Sequence, residues 1–101
     1  KSNGTFFVPT MATAWAYRRM YPELFSALIK LVHRLKAAGI NIAAGTDAGA
    51  PGVVIGRSLH KELELLVEAG MSPVDAIMCA TGTSAENLGR AGDLGIIKKG
   101  F

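Results

Sequence analysis

One carboxylate in this chain stands where it could do chemistry. Asp47 lies within Gly45-Thr46-Asp47-Ala48-Gly49, directly after the apolar run Ile40-Asn41-Ile42-Ala43-Ala44. The carboxyl ends of parallel strands are where α/β proteins gather reactive side chains. A carboxylate at such an end suits two tasks: it is a hard oxygen ligand for a divalent cation, and it can carry a proton to and from a water molecule. The same local sequence also suits a turn former or helix cap, because Asp readily bonds nearby backbone. Thr10 follows Phe7-Val8-Pro9 at the end of a second apolar run. With Met11 it suits the chemistry of a turn. His60 comes early in the helix expected after the Asp47 loop, placed to touch a substrate or to orient that loop.

The other polar groups read more plainly. Glu64 and Glu68 are four residues apart and, with Glu62 and Lys61 close by, form a solvated acidic helix face. His33 sits mid-helix as a surface or boundary residue. Cys79, between Met78 and Ala80, is a small core residue without a neighbouring base to activate it. Trp15, Tyr17 and Tyr21 form an aromatic cluster. Gly45, Gly49, Gly52 and Gly56 lack the spacing of a phosphate cradle. Zinc asks for about four ligands, several of them His or Cys. With Asp47 as the one plausible ligand, this chain alone should bind metal weakly or not at all.

These residues need elements to hold them. Gly4 to Met11 reads as a short strand buried on both faces and ended by Pro9. Ala12 to Tyr21 reads as a loop with a helical turn, broken by Tyr21-Pro22. A helix starts at Pro22, with Glu23 at its positive end and Lys30, Arg34 and Lys36 toward its negative end. Its apolar stripe is Leu24, Leu28, Leu31 and Leu35, and Gly39 stops it. Ile40–Ala44 follows as a second strand, parallel to the first through the helical crossover. Ser58 is expected to cap a further helix that turns Leu59, Leu63, Leu66 and Val67 inward. Ser72-Pro73-Val74-Asp75 opens another, Ser84 caps one more turn, and Ile96-Ile97 is a possible terminal strand. Two parallel strands with both edges unpaired do not close a sheet.

The segments Ser58-Leu59-His60-Lys61-Glu62-Leu63-Glu64-Leu65-Leu66-Val67-Glu68-Ala69-Gly70-Met71-Ser72-Pro73 and Asp93-Leu94-Gly95-Ile96-Ile97-Lys98-Lys99-Gly100, with Gly45-Thr46-Asp47-Ala48-Gly49 before them, carry a resemblance. The chain resembles the carboxyl-terminal part of the metal-dependent amidohydrolase superfamily, nearest the imidazolonepropionase-like and Xaa-Pro dipeptidase-like branch. The resemblance covers nearly all of residues 1–101, read as one partial barrel domain. It implies an α/β fold: the last two βα units of a (β/α)8 TIM barrel plus short C-terminal helices. It implies hydrolysis of an amide-type carbon–nitrogen bond in a dipeptide or cyclic amide by metal-activated water. It casts Asp47 as metal ligand and proton carrier, with Thr10 and Met11 bordering the substrate cavity and Thr10 and His60 beside a small-molecule substrate. The metal implied is divalent, zinc by preference. The family's remaining ligands, a His-x-His pair, a mid-barrel lysine or glutamate and two further histidines, come from strands this chain lacks. Its usual continuation into an Ala-Asp-Leu strand after Lys98-Lys99-Gly100 is also absent. The expectation is a fragment inactive by itself. The alternative is a non-catalytic self-assembling or ligand-binding module derived from the same barrel.

Composition narrows the partners. A chain of 101 residues makes one domain at most. Its net charge of +3 is dispersed, with Arg18-Arg19 and Lys98-Lys99 the only basic pairs, which argues against nucleic acid. No apolar run approaches the roughly 18 residues that span a bilayer, and no signal peptide is apparent. A single cysteine points to the cytoplasm. Half the residues are hydrophobic, a high share for a small solvated domain, so a homo-oligomer formed through open sheet edges or missing barrel segments is expected.

Overall fold

The computed structural model describes residues 4–101. A parallel pair of very short strands, β1 (Phe6–Phe7) and β2 (Asn41–Ile42), lies among five helices. Phe6 pairs with Asn41 and Phe7 with Ile42, and Ala43 N–H extends the ladder to the Phe7 carbonyl at 3.0 Å. Between the strands run α1 (Met11–Ala16) and α2 (Pro22–Ala37); after them come α3 (Arg57–Glu68), α4 (Pro73–Ala80) and α5 (Gly82–Asn87). The β1-helix-β2 crossover matches the expected parallel unit, and α2 begins at Pro22.

Several expectations shift. The segment read as a loop with a helical turn contains a regular helix, α1, begun by Thr10 in the left-handed region. The buried face of α2 is Phe25, Leu28, Ile29, Val32 and Leu35, while Leu24 and Leu31 are exposed. The spacings 25-28-29-32 and 24-28-31-35 are both helical, so periodicity alone did not fix the facing. In α3 the buried residues are Glu62, Leu65 and Leu66, joined by Ala69 just past its end, whereas Leu59 and Val67 are partly exposed. Ser58 does not cap α3: Gly56 holds that position and Ser58 Oγ, inside the first turn, accepts Val54 N–H at 2.8 Å. Ser72 does cap α4, accepting Asp75 N–H at 3.1 Å. Ser84 lies within α5 and donates to the Cys79 carbonyl at 2.6 Å. Ile96-Ile97 forms no strand, and Ile97 is fully exposed.

The core gathers Met11, Val32, Ile42, Leu65, Leu66, Ala69, Met71, Ala76 and Cys79. The helices α1 to α4 and β2 thus each send at least one buried side chain to one cluster, at about 1.5–3 kcal/mol for each large apolar one buried. Nor is the outer edge of β2 fully open, as the chain order suggested. Ala44 N–H donates to the Cys79 carbonyl at 2.9 Å, so the end of α4 occupies part of that edge.

Candidate functional site

The register of β1 and β2 brings Thr10 and Asp47 to the same end of the sheet. Thr10 is three residues past Phe7, and Asp47 is five past Ile42. Both take positive φ, 47° at Thr10 and 57° at Asp47, and no other non-glycine among the described residues does so. For a β-branched residue such as threonine this region is a genuine outlier. Positions of this kind concentrate at active sites and ligand clamps. The two corners are also tied together, because Thr13 Oγ1 donates to the Thr46 carbonyl at 2.8 Å.

Asp47 is exposed, and among the described residues its side chain enters no salt bridge. Its carbonyl accepts Ala50 N–H at 3.2 Å, making a turn. So the local turn role and a free carboxylate coexist. Gly45 sets the approach to this turn by packing against Val8, leaving no room for a side chain. Thr10 lines an apolar groove of about 380 Å³ with Pro9, Thr13, Ala14, Tyr17 and Tyr21, so part of the aromatic cluster borders it. Met11, expected beside it, is fully buried in the core instead.

His60 lies elsewhere. It lines a separate cleft of about 440 Å³ with Trp15, Gly52, Arg57, Lys61 and Glu64. Thr10 and His60 therefore face two grooves that share no lining residue. Trp15 carries Arg18 at 3.9 Å and Lys61 at 4.5 Å from its ring centre, a pair of cation–π contacts at this cleft.

Residues 24–101 match the model of the amidohydrolase family. This chain belongs to the amidohydrolase family. The matched span contains Asp47 and His60 but begins after Thr10. Comparison with curated proteins and with solved structures found no match. The family sequence generally works with a divalent metal, and the donor set on this amidohydrolase chain bears on that directly. Among the described residues no group of three or more His, Cys, Asp or Glu side chains could hold an ion. The described residues do not make a metal centre by themselves. Among the described residues no helix is long and apolar enough to cross a membrane.

Sequence reasoning missed Glu62, read as part of a solvated acidic face. Glu62 is fully buried, with Oε1 accepting Met11 N–H at 3.0 Å and Oε2 accepting Ala12 N–H at 2.6 Å. Burial pushes its carboxyl pKa up, against the two N–H bonds that pull it down. A signal was present: Glu62, Leu65, Leu66 and Ala69 share the i, i+3, i+4, i+7 spacing of one buried helix face, with a carboxylate where an apolar residue belongs. His33 is also more than a boundary residue. Its Nδ1 lies 2.9 Å from the Ala69 carbonyl, which can only accept, so Nδ1 carries the proton and ties α2 to the end of α3.

Proposed function

We propose that this chain is part of a metal-dependent amidohydrolase whose barrel is completed by segments outside it, the two βα units seen here being the last of a (β/α)8 barrel. In that reading Asp47 is a ligand to a divalent metal, zinc by preference. With the remaining ligands in place, it would also take a proton from the attacking water and return it to the leaving amine during hydrolysis of an amide-type carbon–nitrogen bond. A dipeptide or cyclic amide fits the resemblance to the imidazolonepropionase-like and Xaa-Pro dipeptidase-like branch. The observation that carries the reading is the pairing of Thr10 and Asp47, two left-handed, non-glycine corners at the carboxyl ends of adjacent parallel strands. Family membership supports it at the coarse level.

Since one exposed carboxylate cannot replace a full ligand set, no catalytic step is assigned to this chain acting alone. The purified chain is expected to hold no stoichiometric zinc and to hydrolyse no amide in a substrate screen. Metal analysis of wild type against Asp47→Asn tests this. Stoichiometric zinc that disappears in the variant would contradict the inactivity of the lone chain.

Self-association belongs to the same reading. Val74, Ile77 and Met78 on α4, Leu88 after α5, and Ile96 and Ile97 beyond it are all large apolar side chains left exposed. A specific interface covers about 800 Å² per partner. Light scattering should report a dimer or larger, and a monomer persisting at high concentration would refute association.

A further inference from the structure

We infer that Glu62 is a positioning residue for the Asp47 corner: its buried carboxylate fixes the start of α1, and α1 fixes the Thr46–Asp47 peptide through Thr13. The chain of contacts is short. Glu62 reaches from α3 to the first two N–H groups of α1, Met11 at 3.0 Å and Ala12 at 2.6 Å. Those groups have no partner inside a helix. Thr10, the residue before them, makes no side-chain cap, so a carboxylate from another helix takes that place. One residue further along α1, Thr13 Oγ1 donates to the Thr46 carbonyl at 2.8 Å.

The last contact matters because a peptide unit is planar. The Thr46 carbonyl and the Asp47 N–H belong to one plane, so a bond that orients the carbonyl also sets the direction from which Asp47 leaves. Asp47 leaves it at a φ of 57°, in the left-handed region that Asp tolerates in turns. Glu62 suits this role by its chemistry. Two converging N–H donors need acceptors on both oxygens, which a carboxylate supplies and a glutamine does not. Complete burial holds it to this geometry, since a carboxylate inside the core has nowhere else to find partners.

The functional meaning of this coupling rests on Asp47 being a metal ligand, and the two parts separate experimentally. Backbone amide NMR of the full chain compares wild type, Glu62→Gln, Thr13→Val and the double variant, with circular dichroism confirming helix content. The expected result is that Glu62→Gln moves the Asp47 amide resonance, and that the movement falls by at least half when Thr13 is already valine. An unmoved Asp47 resonance, or an equal movement with and without the Thr13 hydroxyl, overturns the proposal. Should Glu62→Gln not fold, the coupling is read in reverse: Thr13→Val must move the Met11 and Ala12 amides, and unmoved amides overturn it. The ligand reading is tested separately by zinc analysis of a barrel completed by the remaining segments, with and without Asp47→Asn, and its failure leaves the Glu62 coupling intact.

Discussion

Gly45 lies so close beneath Val8 that a β-carbon added to it would stand 2.6 Å from Val8 Cγ1. The contact joins the strand that leads to Asp47 with the strand that leads to Thr10. Val8 is β-branched and stiff about χ1, so it cannot easily turn away. Gly45→Ala should therefore destabilise the chain by about 1–3 kcal/mol, as overpacking typically does. Adding Val8→Ala should recover part of the loss in urea unfolding. Equal destabilisation in both backgrounds would show that the crowding lies elsewhere.

Gly70 carries two constraints that can be told apart. Its φ is +105°, and a β-carbon there would approach His33 Nδ1 to 2.7 Å. Gly70→Ala should cost about 1–3 kcal/mol for the backbone alone, with the clash added. In a His33→Ala background the clash vanishes and the backbone cost stays. His33→Ala by itself should cost about 0.5–1.5 kcal/mol through loss of the bond to the Ala69 carbonyl. Thermal melts of the four proteins check the cycle, and strict additivity would deny the contact.

Glu62 makes stability depend on pH in a definite direction. Burial raises its folded-state pKa above that of the unfolded chain. The folded state then binds the proton more tightly, so the contribution is fully present below the ordinary carboxylate range. It is lost as pH rises through the raised value. Measured against Glu62→Gln, the stability difference should shift against wild type as pH rises through the raised value. Denaturation midpoints measured across this range would test it, and an advantage growing with pH would contradict the sign.

Cys79 should be slow to react. It is buried, its Sγ lies 3.7 Å from Met71 Sδ, and burial chiefly pushes its thiol pKa up. Only the thiolate attacks a disulfide reagent. Labelling at neutral pH should be slow in the native chain and rapid in urea, and equal rates would place Cys79 at the surface.

Much of this architecture was legible because its signals are local. Pro22, Glu23 and Gly39 punctuate α2, and Ser72-Pro73 with Asp75 opens α4, since caps and helix ends are settled by the residues at hand. Asp47 stood out for the same reason, at the end of an apolar run. What stayed hidden depends on distant partners. The facing of α2 and α3 is set by what packs on them, so Val32 and Leu65 are buried where Leu31 and Val67 were expected. Glu62 finds its donors about fifty residues away along the chain, and no window around it contains them. The grooves before Thr10 and His60 likewise exist only once α1 is a helix.

The Ala44 N–H that ends on the Cys79 carbonyl gives the two-stranded sheet a direction. An incoming strand would meet that competitor on the β2 side, and among the described residues no loop or cap backbone bond of that kind lies on the far side of β1. Were two copies to associate strand to strand at the β1 lip, they would use up the free backbone of both there. Such a joint obeys a twofold axis and stops at a pair rather than growing into a filament.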